Sequence, residues 1–179
     1  MKNKFALIIE QINTQLGGIA GKTILDVGTM NGRLPALLAD SGAIVTAIDI
    51  KPLPQDAPNQ DKFTFIQIPF EYFNISEEKK HYDVAIAENV LPFLADKKYS
   101  MQKFLEIADA QVFNVWGHNH VWAKSRLTYS PEQIEQLKSQ ILETHDILSF
   151  DEKEYDTPTI SNPNELSHWH EYTFVVKRK

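Results

Sequence analysis

The chain has 179 residues, 42% hydrophobic and 23% charged, and its 18 basic and 24 acidic residues give a formal net charge of −6. A folded domain of this length buries roughly 70% of its unfolded surface, so it needs no disulfide or metal staple. With no cysteine, disulfides, thiolate chemistry, Cys-ligated zinc and iron–sulfur clusters are excluded, and the acidic balance removes the general attraction to phosphate backbones and anionic membranes. Nucleic acid and membrane are therefore not expected as partners.

Phe5, Ile8, Ile9, Ile12 and Leu16 recur at helical spacing, which predicts an amphipathic helix over 1–17 packed on a single domain spanning 1–179. The apolar run from Phe5 to Ile9 is too short for a cleaved leader or a membrane span, so a cytoplasmic protein is expected. Gly17-Gly18 stops the helix, and residues 23–28 form a buried strand ending at glycine. Asn31 is placed to cap a helix over 32–40, with Pro35 in its first turn.

A second buried strand follows at 43–49, then a proline-rich stretch over 51–61 without a clear crossover helix, then a third strand at 63–68 stopped by Pro69. Residues 82–87 make a fourth strand, 97–108 a helix and 111–116 a fifth strand. Ser130-Pro131-Glu132-Gln133 is a capping box, and Ile134, Leu137 and Ile141 stripe the helix behind it. Two closing strands, 146–151 and 171–177, flank a polar segment over 156–167 and are expected to pair antiparallel. Strands alternating with helices predict a doubly wound α/β sheet, whose ligands bind beyond the carboxyl ends of the strands beside strand one.

The densest signal there is Leu25-Asp26-Val27-Gly28-Thr29-Met30-Asn31-Gly32, with Asp49 ending the next strand. Glycines in such a loop allow a tight turn and close backbone approach to a ligand. The run resembles the first motif of the class I S-adenosylmethionine-dependent methyltransferases, an acid followed by alternate glycines: Asp26, Gly28 and Gly32 match, and Met30 stands at the middle glycine. The resemblance implies a Rossmann-like sheet of seven strands in the order 3-2-1-4-5-7-6, with S-adenosyl-L-methionine as cofactor. It assigns Asp26 to the cofactor's amino acid end and Asp49 to the ribose, with Gly28, Thr29, Gly32, Ile50 and Glu88 also binding the cofactor. Pro69 takes the place of the family's adenine-contacting aspartate, which leaves adenine to backbone groups and to Phe70 or Glu71. A nicotinamide fingerprint also uses a glycine turn and a later acid, but Gly-x-x-x-Gly is not Gly-x-Gly-x-x-Gly. A strand-to-helix turn without a ligand is the bland alternative.

After strand four, Glu88-Asn89-Val90-Leu91-Pro92-Phe93 lacks the Asn/Asp-Pro-Pro-aromatic signature of enzymes that methylate planar amino groups in nucleic acids and proteins. Glu88 is a candidate base, a contact to the cationic sulfur, or a helix cap. His118-Asn119-His120 follows strand five and His168-Trp169-His170 enters the last strand, so the family topology brings the two clusters to one rim. Catalytic candidates are therefore Glu88, His118 and His170; a metal is not expected, with His118, His120, His168 and His170 the set that would bind one. Trp116, Trp122 and Trp169 lie in the same segments, as pocket walls or as hairpin packing. The expected activity is in-line methyl transfer to a small-molecule acceptor, with lids drawn from the N-terminal helix, 117–127 or 156–167. A non-catalytic S-adenosylmethionine or S-adenosylhomocysteine binder of the same fold is the rival.

Overall fold

A computed structural model describes residues 4–53, 61–74, 81–123, 127–158 and 164–179. Strands β1 (Thr23–Val27), β2 (Ile44–Asp49), β3 (Phe63–Gln67), β4 (Tyr82–Ala87), β5 (Ala108–Gly117), β7 (His145–Pro158) and β8 (Leu166–Arg178) form one sheet in the order β3-β2-β1-β4-β5-β8-β7. This is the expected order, parallel through β5 and closed by the antiparallel β8 and β7. An eighth strand adds to the expected seven: β6 (Thr128–Tyr129) pairs with Trp116 and Gly117 of β5, past Phe113, the last β5 residue that β4 reaches.

Helices cover both faces, which is why β1 is buried at four consecutive residues, Ile24 to Val27. On one face α1 (Lys4–Gln15) and α2 (Arg33–Asp40) bring Ile8, Ile12, Leu34 and Leu38 against Ile24, Val84, Ile86, Val112 and Val175. On the other, α3 (Lys97–Glu106) and α4 (Pro131–Thr144) set Phe104, Ile134, Leu137 and Ile141 against Leu25, Ala85, Phe113 and Phe174. Each such aliphatic or aromatic side chain contributes roughly 1.5–3 kcal/mol by leaving water.

Local chemistry sets the helix ends. The Ser130–Gln133 capping box forms as expected. At α2 the N-cap is Gly32 in the left-handed region, and Asn31 instead accepts the Arg33 N–H at 3.1 Å. The closing hairpin is much longer than expected, 14 and 13 residues, and runs through much of the polar segment. Cross-strand pairs rather than core burial hold this extension: Asp156 faces His168, Tyr155 faces Trp169, and Glu154 faces His170. Residues 54–60 of the proline-rich stretch, 124–126 and 159–163 of two expected lids, and 1–3 of the first helix lie outside the described residues. Among the described residues no helix is long and apolar enough to cross a membrane.

Candidate active site

The loop between β1 and α2 turns on left-handed residues: Gly28 at φ +78°, Met30 at +51° and Gly32 at +73°. Met30 thus keeps a glycine-like backbone while its side chain stands 74% exposed over the cleft. At Gly28 a Cβ would fall 2.6 Å from Val90 Cγ2, so the loop packs directly on the segment after β4. Asp49 ties the next strand to the loop, its Oδ2 accepting the Met30 N–H at 2.8 Å and its Oδ1 the Lys51 N–H at 2.9 Å.

Asp26 lies beneath this loop, 2% exposed and outside the cleft walls. Burial, with the charges of Glu88 and Asp49 added, pushes its carboxyl up from 3.8 to about 7. The neighbouring Thr29 side chain partly offsets that rise, yet Asp26 Oδ2 and the buried Thr29 Oγ1, like Ser100 Oγ, Gln111 Oε1, His120 Nε2 and Trp169 Nε1, lack a well-formed hydrogen bond among the described residues. Buried polar atoms are normally paired, so the Asp26 and Thr29 atoms mark a place where a donor or cation from a ligand fits. The cleft itself, about 830 Å³, is lined by Gly28, Met30, Asp49, Ile50, Phe70, Glu71 and Glu88, a volume suited to a nucleoside-sized molecule.

Phe70 and Glu71 sit in a 3₁₀ turn, Phe70–Tyr72, whose carbonyls at Phe70 and Glu71 both accept from Lys103 Nζ at 3.0 Å. The Phe70 ring packs edge-on to Phe104 and is 3% exposed, whereas Glu71 accepts the Ala95 N–H at 3.2 Å across the cleft. The residues present therefore fit an adenosyl ligand: a glycine-turned backbone, an acid at the end of β2, and an apolar wall after β3.

Beyond Glu88 a second cavity of about 370 Å³ opens between α1, the end of β4 and the middle of β5, β7 and β8. Glu88 lines both cavities and forms their junction. Lys4 of α1 reaches Glu88 Oε1 at 2.5 Å and Glu171 Oε1 at 2.9 Å. Glu171, 5% exposed, also accepts from Asn114 Nδ2 at 3.3 Å and from the Tyr155 hydroxyl at 3.0 Å. Burial first, then the Glu171 carboxylate, holds the Tyr155 phenol above its ordinary range, so it remains a donor. Asn89, left-handed at φ +56°, gives its N–H to Asn114 Oδ1 at 2.6 Å and its Nδ2 to Glu88 Oε1 at 2.9 Å. Its Oδ1 accepts from Asn114 Nδ2 at 2.6 Å and Trp116 Nε1 at 2.9 Å.

The four histidines divide between the two faces of the sheet. His170 is fully buried; its Nδ1 accepts the Asn119 N–H at 3.2 Å, which leaves Nε2 to donate to Glu152 at 2.9 Å, and His118 stands edge-on to it at 5.1 Å. His120 stacks on Trp116 at 4.4 Å, beside Trp169 on the opposite face, and burial lowers its pKa. His168 pairs with Asp156 at 2.9 Å, and that hydrogen bond raises its pKa. None of the four lines either cavity. Among the described residues, the group whose ligand atoms do converge, within 4.8 Å, is Glu152, Glu154 and His170. Trp116, Trp122 and Phe93 form an edge-to-face cluster at the rim, with Phe93 also lining the larger cleft.

Sequence reasoning missed Lys4, Asn89, Asn114, Tyr155 and Glu171. Two left a signal: Asn114 interrupts an apolar run in β5, and Glu171 is an acid within a strand otherwise buried around it.

The sheet order, the glycine loop and the acid ending β2 are those of the class I methyltransferase fold. Residues 25–111, which hold the glycine loop, the acid ending β2 and the segment after β4, match a family described as Methyltransferase domain. Among solved structures it is similar to a proposed RNA methyltransferase of Pyrococcus horikoshii (TM-score 0.71, 15% identity, covering 98% of this chain and 83% of that one). It is also similar to the N-methyltransferase NodS of Bradyrhizobium japonicum, solved with S-adenosyl-L-homocysteine (0.69, 13%, 99% and 89%). A third is the magnesium protoporphyrin IX methyltransferase of Synechocystis, solved with S-adenosylmethionine (0.66, 15%, 98% and 78%). At these identities the likeness is one of fold. No protein of curated function matches the sequence.

Proposed function

We propose that this protein is a cytoplasmic methyltransferase acting on a small-molecule acceptor, with its cofactor in the larger cleft and its acceptor in the smaller one. The observation that carries the reading is the junction at Glu88, which lines both cavities. S-adenosylmethionine supplies an electrophilic methyl on a cationic sulfur. Asp49 is assigned to the ribose and Gly28, Thr29 and Gly32 to the amino acid end; Asp26 acts from beneath the loop, where a cationic ligand favours its charged form. Phe70 and Glu71 flank the adenine. Glu88 stabilises positive charge at the junction and can take a proton from an acceptor that must lose one. The remaining contribution is alignment and exclusion of water by the aliphatic wall of Leu7, Ile8, Ile86 and Val112. The smaller cavity is lined by three carboxylates, Glu88, Glu154 and Glu171, against two ammonium groups, Lys4 and Lys153, and this net negative balance gives no attraction to a phosphate backbone.

The test is S-adenosylhomocysteine formation with pooled amines, phenols and carboxylic acids in one reaction and total RNA in another. Product with a small-molecule pool, lost in Glu88→Gln, is expected; transfer to RNA alone overturns the assignment. Met30 favours one second reading, a non-catalytic adenosyl-ligand binder, because its long side chain stands over the cleft at the middle glycine position. That reading predicts ligand binding with no turnover on any acceptor.

A further inference from the structure

We infer that the acceptor is an amine, and that Lys4 occupies the place of its ammonium group. The inference rests on the smaller cavity being the acceptor site. Two carboxylates converge there on one ammonium: Lys4 Nζ lies 2.5 Å from Glu88 Oε1 and 2.9 Å from Glu171 Oε1. Glu171 is 5% exposed and already takes hydrogen bonds from Asn114 and Tyr155. Those neutral donors satisfy lone pairs but do not neutralise charge, and a buried carboxylate without a cation is strongly unfavourable.

The cation now supplying that charge is exchangeable. Lys4 is the first residue of α1, its side chain is 37% exposed, and its stem can swing outward without moving the helix. A protonated amine entering the cavity would meet the same two carboxylates, and its carbon body would lie along Leu7, Ile8, Ile86 and Val112. A carboxylate or phosphate acceptor would instead face like charge at both Glu88 and Glu171. Glu88 lines both cavities, so a nitrogen bound to it would lie beside the cleft assigned to the cofactor and against a carboxylate that could take its proton.

The experiment uses Lys4→Ala and titrates n-propylamine, which restores the removed part of the side chain, with n-propanol as the neutral control. Unfolding is followed by a thermal melt without cofactor. Expected is saturable stabilisation by the amine and none by the alcohol, about tenfold weaker in wild type, where Lys4 competes, and lost when Glu171→Gln is added. Tyr155→Phe added to Lys4→Ala serves as a second probe of the subsite, with amine affinity lowered a few-fold. Equal response to amine and alcohol, or amine stabilisation unchanged by Glu171→Gln, overturns the inference. S-adenosylhomocysteine binding is measured separately on the same proteins. Its presence with no amine selectivity refutes the amine subsite alone; its absence with amine selectivity intact refutes the methyltransferase assignment and leaves the subsite standing.

Discussion

The two cavities that meet at Glu88 are built in different ways. The larger is made by short runs after consecutive strands, each a few residues long and each fixed by its own backbone turn. The smaller is assembled from α1, β4, β5, β7 and β8, and its central ion pair joins residues 167 positions apart. A cleft made of loop backbone depends on glycine conformation and tolerates side-chain change. A cleft made of long-range side-chain contacts depends on the hairpin seating correctly, and its specificity can drift while the cofactor loop stays readable.

Glycine substitutions separate the two regions most sharply. At Gly117 an added Cβ would sit 2.4 Å from the His170 ring, which is fully buried and held at both nitrogens. Gly117→Ala should cost about 3 kcal/mol, on the order of 6–12 °C in melting temperature, with the folded protein's cofactor affinity intact. Gly28→Ala combines left-handed strain with a contact of 2.6 Å to Val90. A cost of about 2 kcal/mol is expected in a urea melt, together with a cofactor affinity reduced at least about tenfold.

Asp49→Ala removes the acceptor for two backbone N–H groups and the proposed ribose contact. Calorimetry should find affinity for S-adenosylhomocysteine lowered about tenfold or more, with about 1 kcal/mol of stability lost. Asp26 sets a pH dependence. Because its folded value is about 7 against 3.8 ordinarily, the folded chain keeps a proton that the unfolded chain releases between those values. Ligand-free stability relative to Asp26→Asn should therefore fall from about pH 4 to about pH 7 and level off above, while affinity for the cationic cofactor rises a few-fold as the pH passes through about 7. The smallest effect is expected at Met30, where φ is +51°. Met30→Gly relieves strain but frees the unfolded chain, so stability should change by about 0.5 kcal/mol or less, and cofactor affinity should stay level or rise slightly.

The order of the sheet was legible because β1, β2 and β4 are short, mostly apolar runs, interrupted only at Asp26, Thr46 and Asp83 and each closed by a glycine or an acid at its carboxyl end. The cofactor loop was legible because its residues are adjacent in sequence. The length of the hairpin was not, since residues 152–158 are held by His, Trp and carboxylate partners on the facing strand and carry no apolar alternation. Strand β6 is two residues long and exists only because β5 outruns β4. Convergence of the histidines was inferred from strand ends alone. Alternation along β8 sends His170 and Trp169 to opposite faces, so His118 joins one group and His120 the other. Lys4 carried no signal at all, because its partners are defined only once α1 lies over β4 and β8.

The most direct test of the account is a calorimetric titration of S-adenosylhomocysteine into wild type, Gly28→Ala and Asp49→Ala. One saturable site per chain, weakened about tenfold or more in both variants, is the predicted result. No binding at millimolar ligand, or equal binding in all three proteins, would contradict the placement of the cofactor in the glycine-loop cleft.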